Sequence, residues 1–485
     1  METPRFLKLG VYLKTINPII FIKMKISLSI LFCISFFISC SSSTPESNGG
    51  TGTPLPTNPV TPTVPLTDIE VLDQVQKDAI KYFWEYAEPN SKLARERYYT
   101  NDPGFEANIV TTGGSGFGLM SIIVGIERGF VNRSEAVSRL TTAMNFLEKA
   151  ERFHGAWPHW MDGSTGKVIP FGIKDNGGDL VETSFLCQGL LSIREYFKNG
   201  SASEKELAAK ADALWKGVEW DWYTKGENAL YWHWSPQYGW EMNFKLEGYN
   251  ECLITYVLGA ASPTHPISAQ AYHQAWARNG AITNGGSQYG IPVIFNYNGA
   301  SGNVGPLFWA QYSYLGLDPT TLKDQYADYW ALTQNHSKII NQYCIANPRQ
   351  WKGYSDKCWG LTASYSRNTD GSTGYSAHQP NNDLGVITPT AALSSFPFTP
   401  VESMKFLHYL YDEKRTEYIG IAGPYDAFSP HYNWVTPRYL AIDQGTIAPM
   451  IENHRSGLLW KLFMNAPEIK PGLTKLGFNS TKYNF

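Results

Sequence analysis

The chain has 485 residues and a formal net charge of −3, with 40 Lys and Arg against 43 Asp and Glu. This balance excludes the basic surface that nucleic-acid binding requires, so we expect no nucleic-acid partner. The 16 Trp, 29 Tyr and 24 Phe residues are typical of a large aromatic core, and also of proteins that stack sugar rings on aromatic faces.

The first predicted element is an export signal. Lys23 and Lys25 precede an apolar run over 26–39, which is shorter than a membrane span and ends at Cys40. A Cys that follows a small residue at the end of such a run predicts lipidation. We interpret 1–40 as an N-terminal extension with a lipoprotein-type signal; an uncleaved anchor and ordinary signal cleavage are the alternatives. The lipid at Cys40 would be the protein's only membrane contact and would hold it in the cell envelope, in the periplasm or at the outer membrane or cell surface.

Residues 41–66 are rich in Pro, Thr, Ser and Gly and have little to bury, which predicts a solvated tether. From Thr67 onward the composition is that of a globular protein, and no second linker interrupts it. We therefore predict one large domain over 67–485, and we expect it to be a monomer.

The cysteines of this domain give no metal-binding pattern. Cys187 and Cys252 lie in apolar helical segments and are predicted to be buried thiols. Cys344 and Cys358 flank a polar loop and could pair in an oxidising envelope. Neither a CxxC motif nor a His-rich spacing is present, so we expect no metal and no cofactor.

Apolar periodicity predicts twelve helices in chain order. They span 68–88, 114–128, 134–152, 179–198, 203–222, 248–260, 266–279, 303–316, 321–346, 387–396, 398–413 and 443–463. Start signals are present at Thr67, Ser134 and Ser203. The helices near 68, 134, 203 and 398 are amphipathic, whereas those near 114, 179, 248, 303, 387 and 443 are apolar nearly all round and therefore enclosed by protein. This alternation predicts an all-α fold, an (α/α)6 barrel in which six outer helices surround six inner ones.

Acidic residues collect where the predicted inner helices begin. The stretch "KDNGGDLVETSFLCQGLL" (174–191) sets Asp175, Asp179 and Glu182 against an apolar helix. Asp179 suits the N-cap of that helix, and capping alone would account for it. Capping does not account for Asp175 or Glu182. A carboxylate one turn into an enclosed helix costs free energy unless it is paired, hydrated in a cleft or functional.

A second inner helix begins with another acidic segment. Glu247 and Glu251 are four residues apart and could share one face at the entrance to the helix. Glu251 runs directly into Cys252, Leu253 and Ile254, where a solvated carboxylate is out of place. Glycoside hydrolysis requires one protonated acid at the leaving oxygen and one ionised carboxylate that activates water. Two acidic segments on different inner helices suit that chemistry, although sequence spacing does not give their separation.

Four segments resemble glycoside hydrolase family 144: "DNGGDLVETSFLCQGLL", "EGYNECLITYVLGAASPTHP", "GVITPTAALSSFPFTPVESMKFLHYLY" and "YLAIDQGTIAPMIENHRSGLLWKL". The resemblance extends from Leu66 to the C-terminus. It implies an (α/α)6 fold and the inverting hydrolysis of linear β-1,2-glucan to sophorose and short sophorooligosaccharides. It also carries over Asp175, Asp179 and Glu182 from the DxxxDxxE element, and Glu251 from the GYNE element.

These residues lead to an assignment of catalytic roles. We predict that Glu251 is the general acid, because its place at the start of an apolar helix would raise its pKa. The base is then one of the other three carboxylates, in the order Asp175, Glu182, Asp179. Asp443 in "AIDQG" is a further candidate, here as a substrate-binding residue, with N-capping of the last inner helix as the alternative.

Two aromatic segments are predicted to bind sugar rings. "HGAWPHWMD" brings together Trp157, His159 and Trp160, while Trp240, Phe244 and Tyr249 precede Glu251. The alternative for such a segment is a packed hydrophobic plug. The expected partner of the protein is an oligo- or polysaccharide, specifically a β-glucan.

Two other classes of function stay open at this point. One is a different carbohydrate enzyme on the same barrel, an α-glucan hydrolase or a lyase; a lyase would need a Tyr or His base and cations that neutralise a uronate. The other is a non-catalytic glycan-binding surface lipoprotein. Such a protein needs aromatic platforms, but it does not need isolated carboxylates at the starts of two inner helices.

Overall fold

A computed structural model of the chain describes residues 65–485. The predicted signal over 1–40 and the predicted tether up to residue 64 lie outside the described residues, as does the predicted lipidation site Cys40. Among the described helices, none combines the length and the apolar character that crossing a bilayer would require.

The described chain is rich in helix. Its α-helices are α1 Asp68–Trp84, α2 Thr112–Glu127, α3 Arg133–Lys149, α4 Leu180–Phe197, α5 Ala202–Lys216, α6 Leu253–Ala261, α7 Ala269–Ala271, α8 Tyr329–Ala346, α9 Pro389–Leu393, α10 Pro400–His408, α11 Arg415–Tyr418, α12 Ala441–Arg455, α13 Leu458–Met464 and α14 Ile469–Lys475. Turns of 3-10 helix occur at Trp222–Thr224, Arg278–Gly280, Leu307–Ala310 and Tyr312–Tyr314. Turns of π-helix extend α7 over Tyr272–Trp276 and α10 over Tyr409–Glu413.

The connections contain short strands that the all-helical prediction did not include. They are β1 Arg97–Tyr99, β2 Ile109–Thr111, β3 Trp160–Asp162, β4 Val168–Ile169, β5 Gly178–Asp179, β6 His233–Trp234, β7 Ser287–Gln288, β8 Ile291–Pro292, β9 Leu322–Lys323, β10 Ala363–Arg367, β11 Thr373–Ala377, β12 Ile419–Gly420, β13 Gly423–Pro424, β14 Phe428–Ser429, β15 Trp434–Val435, β16 Arg438–Leu440 and β17 Asn479–Ser480. They form a three-stranded ladder, β2-β3-β4, and two-stranded ladders pairing β1 with β16, β5 with β6, β7 with β8, β9 with β17, β10 with β11, β12 with β13, and β14 with β15. These ladders satisfy the backbone hydrogen bonds of loops that connect the helices.

The first five helices appear where periodicity predicted them, and their ends are set by caps. Thr67 caps α1 in a capping box with Glu70, as predicted. The start signals assigned to Ser134 and Ser203 were wrong. The side chains that cap α3 and α5 belong to Asn132 and Ser201, because these residues reach the free backbone N–H groups of the first turn.

Several later predictions differ from the structure. The helix predicted from 248 begins only at Leu253, because Gly248 has a φ of 73°. The segment 303–316 forms two 3-10 turns instead of an α-helix. The predicted helix over 443–463 is divided into α12 and α13 at Gly457, whose φ of 67° lies in the left-handed region.

The enclosed segments contact one another in sequence. Helix α12 packs on α2, α2 on α4, and α4 on α6, which contacts the 3-10 turn at Tyr312–Tyr314. Gln311 joins this turn to α9 by donating to Ala391 O at 2.9 Å, and α9 packs on α12. The contact between α2 and α4 is close because both carry glycine: a Cβ on Gly189 would lie 2.4 Å from Gly116 O.

The four cysteines among the described residues are free, buried thiols. Cys187 and Cys252 therefore have the character that the sequence predicted. The pairing of Cys344 with Cys358, which the sequence left open, is not formed.

Candidate active site

The candidate site lies where α4 and α6 begin, beside the small ladder β5-β6. This antiparallel pair places Asp179 opposite His233. The ladder brings the acidic segment before α4 together with a histidine that lies more than fifty residues later in the chain. The site is therefore built by a long-range strand pairing as well as by helix starts.

Asp179 caps α4, as predicted. Its side chain is fully buried, and Oδ1 accepts a hydrogen bond from the backbone N–H of Glu182 at 2.9 Å. Oδ2 faces Nδ1 of His159 at 3.0 Å. Both oxygens of Asp179 are thus engaged within the protein, which leaves this carboxylate poorly placed to activate a water molecule.

Asp179 offers a test that separates its cap from its charge. Asp179→Ala removes both, whereas Asp179→Asn keeps a good capping side chain and removes only the charge. We expect the alanine variant to lose about 1 kcal/mol more free energy of unfolding than the asparagine variant. Urea denaturation at pH 7 measures this difference. Equal stability of the two variants would contradict the capping role.

Asp175 forms an ion pair with His233, whose Nε2 lies 3.3 Å from Oδ2 of Asp175 and 3.7 Å from Oδ2 of Asp179. Burial alone would raise the pKa of Asp175, but the charge and hydrogen bond of His233, aided by His159, hold it below its ordinary value. Asp175 is 7% exposed, so it keeps an opening to solvent. It is the member of the cluster best suited to be an ionised base.

Glu182 has the opposite tendency. Burial raises its pKa to about 7 against the opposing charge of His159, and the charge of Asp179 raises it further. Its Oε2 accepts a hydrogen bond from the backbone N–H of Gly113 at 2.7 Å. Gly113 must be glycine here, because a Cβ at this position would lie 2.5 Å from the same oxygen.

Two histidines neutralise the acidic cluster. Burial would lower the pKa of His159, but the charges of Glu182, Asp179 and Asp175 raise it to about 10. The pKa of His233 is also raised, chiefly by Asp175 against the effect of burial. His159 is therefore protonated at neutral pH, and the shift of His233 favours its protonated form. Each imidazole lies against an aromatic ring: His159 on Phe171, with ring centres 4.1 Å apart, and His233 on Trp232, 5.5 Å apart.

Ligating atoms of His159, Asp175 and Asp179 lie within 4.8 Å of one another, which is close enough to hold a metal ion. A metal ligand must be a neutral imidazole, whereas His159 is protonated and bonded to Asp179. The arrangement fits an ion-paired acidic cluster better than a metal site.

Glu251 lies in the turn that precedes α6, 9% exposed. Burial raises its pKa to about 7, and the negative charges of Glu182 and Asp179 add to the effect. The side chain of Trp309 acts in the opposite direction and favours the ionised form of Glu251. The prediction that Glu251 and Glu247 share one helical face is wrong, because α6 starts after both of them.

The structure corrects two of the predicted sugar-binding residues. Trp157 is fully buried, donates its indole N–H to Leu147 O at 3.1 Å and packs under the guanidinium of Arg152. Tyr249 is also fully buried and donates to Trp309 O. Neither ring presents a face to a cleft, so the alternative of a packed hydrophobic plug describes both.

The other predicted aromatic residues are partly exposed. Trp160 lies edge-on to His159 and Phe171, and Phe244 lies edge-on to Trp232 near His233, so both border the acidic cluster. Trp240 instead joins a separate group with Trp222, Tyr223 and Tyr231.

Asp443 lies in the first turn of α12 but does not cap it. The residue at the N-cap position is Leu440, so the capping alternative was wrong. Oδ1 of Asp443 accepts a hydrogen bond from Tyr312 at 3.2 Å. Burial and the neighbouring Asp426 raise the pKa of Asp443 well above its ordinary value.

Sequence reasoning missed His233, Trp309 and Asp426. His233 lies in "LYWHWSP", where an alternating pattern puts Trp232 and Trp234 on one face and the histidine on the other. This alternation of side chains indicates a β-strand, but we predicted helices only and therefore did not use it. Trp309 and Asp426 carry no comparable signal in the sequence.

Comparisons with known proteins identify the family of the chain. Residues 243–467 match the family model described as "Putative glucoamylase". A solved endo-β-1,2-glucanase from Chitinophaga pinensis, in complex with sophorotriose and glucose, is 55% identical with a TM-score of 0.83, covering 86% of this chain and 100% of the other. The chain belongs to this β-1,2-glucanase family.

Other relatives extend the comparison. An exo-β-1,2-glucooligosaccharide sophorohydrolase from Parabacteroides distasonis is 45% identical over 436 residues, which are 85% of this chain. The chain spans only 58% of the length of that curated relative. An endo-β-1,2-glucanase from Talaromyces funiculosus has 14% identity and a TM-score of 0.61 over 82% of this chain and 87% of its own, and this likeness concerns the fold alone.

Proposed function

We propose that the protein hydrolyses linear β-1,2-glucan with inversion at the anomeric carbon, releasing sophorose and short sophorooligosaccharides, and that its family is glycoside hydrolase family 144. The observation that carries the proposal is the split in ionisation within one site. The pKa of Glu251 is raised to about 7, whereas that of Asp175 is lowered. A protonated and an ionised carboxyl are what an inverting glycosidase needs at the same pH.

In the proposed reaction, Glu251 gives its proton to the glycosidic oxygen as the bond from this oxygen to the anomeric carbon breaks. Asp175 takes a proton from a water molecule, whose oxygen forms the new bond to the anomeric carbon from the opposite side. Glu182 and the partly exposed rings of Trp160 and Phe244 contact the sugar units. His159 and His233 favour the ionised form of Asp175 until it takes that proton.

The helices fit the (α/α)6 toroid. The enclosed segments α2, α4, α6, 307–314, α9 and α12 form a chain of contacts that closes on itself, and amphipathic helices such as α1, α3, α5 and α10 lie outside it. The acidic residues stand at the starts of α4, α6 and α12. We propose that these starts face one funnel, in which a glucan chain binds.

The place of action follows from the N-terminal sequence. A signal that ends at Cys40, followed by a polar tether, supports an exported lipoprotein whose domain 67–485 is held at the cell envelope, where we propose that it acts as a monomer. Its substrate would then be a glucan that reaches the periplasm or the cell surface.

The substrate is tested by incubating the purified protein with β-1,2-glucan, starch and laminarin and measuring reducing ends. We expect release from β-1,2-glucan alone, with sophorose among the products. Activity on starch would favour an α-glucan hydrolase. A folded protein that binds β-1,2-glucan without cleaving it would favour a glycan-binding lipoprotein.

The stereochemistry of the product tests the mechanism. Inverting carboxyl pairs are separated by ~6.5–9.5 Å to admit water, whereas a covalent nucleophile requires ~5–5.5 Å. Because the acid and the base come from different helix starts, we expect the β-linked substrate to give the α-anomer first. Time-resolved NMR of a fresh digest would show it before mutarotation. An initial β-anomer would indicate a covalent intermediate and overturn the role of Asp175 as a water-activating base.

A further inference from the structure

A second pair of acids lies apart from the Asp175–Glu182 cluster. Asp443 belongs to the first turn of α12, and Asp426 lies in the loop before β14. They are 3% and 5% exposed, and the two carboxyl groups interact with each other. Two adjacent buried carboxyls repel when both are ionised, so the pair holds one proton between them.

The protein supplies few hydrogen bonds to this pair. One oxygen of Asp426 accepts from the backbone N–H of Tyr365 at 2.8 Å, and one oxygen of Asp443 accepts from Tyr312. Oδ1 of Asp426 and Oδ2 of Asp443 have no donor among the described residues apart from the proton that the two acids share. Buried carboxyl oxygens normally have more partners, and an asparagine would meet the two donors without the cost of a buried charge.

The neighbouring charges that act on the pair do not offset its negative charge. Burial and the neighbouring Asp426 raise the pKa of Asp443, and Glu96 raises the pKa values of both carboxyls further. By contrast, His233 and His159 lie beside Asp175 and lower its pKa. A structural role alone does not account for an acid pair with this surplus of negative charge.

Two tyrosines connect the pair to the candidate catalytic groups. The phenol of Tyr312 bonds to Asp443 and also lies near Glu182. The charges of Asp443, Asp426 and Glu251 act on the phenol of Tyr375, which is on β11 and 40% exposed. These tyrosines link the acid pair to the catalytic carboxyls, although the pair belongs to other elements, α12 and the loop before β14.

We infer that Asp426 and Asp443 form a subsite that binds two adjacent hydroxyl groups of one glucose unit of the substrate. This inference rests on the proposed function and assigns to it a further binding site. A carboxylate accepts from one hydroxyl while the protonated partner donates to or accepts from the next. Every internal unit of a β-1,2-linked glucan has free 3- and 4-hydroxyls, which is the diol that such a pair fits. In laminarin the 3-hydroxyl is substituted.

The test measures binding separately from turnover. In a Glu251→Gln background, sophorotriose and longer sophorooligosaccharides are titrated by calorimetry, with and without Asp443→Asn or Asp426→Asn. A lost hydrogen bond to a charged group predicts a Kd that rises about 10-fold to 100-fold in either variant. When Asp443→Asn or Asp426→Asn is made in the active protein, with Glu251 unchanged, we expect the KM for β-1,2-glucan to rise by a similar factor, with a smaller change in kcat.

A matched control is Asp383→Asn, since Asp383 is equally buried but accepts from Tyr343, Trp351 and Tyr354. Circular dichroism and thermal melting identify any variant that fails to fold. If Asp443→Asn does not fold, Asp426→Asn, which changes a residue on a loop, serves as the second variant. An unchanged Kd in the folded variants overturns the subsite while leaving the proposed function intact. Absence of oligosaccharide binding to folded Glu251→Gln protein itself overturns both.

Discussion

Replacing Glu251 by Gln is expected to lower kcat on β-1,2-glucan by at least ~10²–10⁴, which is the contribution of a general acid. Glutamine keeps the size of the side chain and its capacity for hydrogen bonds, but it has no proton to give to the leaving oxygen. Binding of the glucan should be retained, because the effect concerns the transition state. Steady-state kinetics and calorimetry on the same preparation measure the two quantities.

The same substitution should stabilise the protein at alkaline pH. The pKa of Glu251 in the folded state is raised from 4.5 to about 7, so folding is opposed once the unfolded chain ionises this group. The penalty is absent below pH 4.5, grows through pH 7 and is then constant, at roughly 3 kcal/mol. Thermal melting of Glu251→Gln should exceed that of the unsubstituted protein at pH 8 and equal it near pH 4.5.

Glu247→Gln is the matched control, because Glu247 precedes the same helix but is only half-buried and outside the candidate site. It should leave both kcat and the melting profile nearly unchanged. Unaltered turnover in Glu251→Gln would remove Glu251 from the mechanism. A pH-independent change in melting temperature would instead show that Glu251 is not the group whose ionisation opposes folding.

The acids of the candidate site could be predicted from the sequence because they interrupt segments that are otherwise apolar. Asp175, Glu182 and Glu251 are charged residues beside long apolar runs, and burial at such places is costly enough to indicate a purpose. In the structure the charges of Glu182 and Asp179 raise the pKa of Glu251, and Asp175 lies beside His233, which also faces Asp179. Their partners could not be read in the same way. His233 reaches the cluster only through the pairing of β5 with β6, which the sequence did not predict.

Aromatic residues were a poorer guide than acids. Trp157 and Tyr249 lie in loop-like sequence next to polar residues, yet both are fully buried, whereas Trp160 and Phe244 in the same segments are partly exposed. An aromatic side chain gains free energy in a core and at a sugar-binding surface alike, so its presence in a segment does not decide between them. The burial of each ring depends on contacts that are distant in sequence.

The ends of the inner helices show a related limit. Apolar periodicity extends the predicted helix back to 248, but Gly248 and the turn formed by Asn250 delay its start to Leu253. As a result Glu251 is carried on a turn instead of on a helix face. Periodicity detects which residues are enclosed, whereas backbone conformation at single residues decides where regular structure begins.

Replacing Asp175 by Asn is expected to lower kcat by ~10²–10⁴ as well, through loss of the base that activates water. It should also destabilise the protein at neutral pH, in contrast to Glu251→Gln. The folded-state pKa of Asp175 is lowered by His233, so its ion pair stabilises the fold above pH 3.8 and ceases to do so as the pH falls below that value. Neutralising Glu251 should therefore raise the stability of the protein at neutral pH, whereas neutralising Asp175 should lower it.

His233→Gln provides the companion measurement for Asp175, since it removes the cation and leaves the base. The acidic limb of the kcat/KM profile should move to higher pH, because without His233 burial raises the pKa of Asp175. Activity at pH 7 should survive in this variant. If instead Asp175→Asn remained active and Glu182→Gln did not, the base would be Glu182. A loss of activity in His233→Gln that is equal at every pH would mean that His233 shapes the site without setting the ionisation of Asp175.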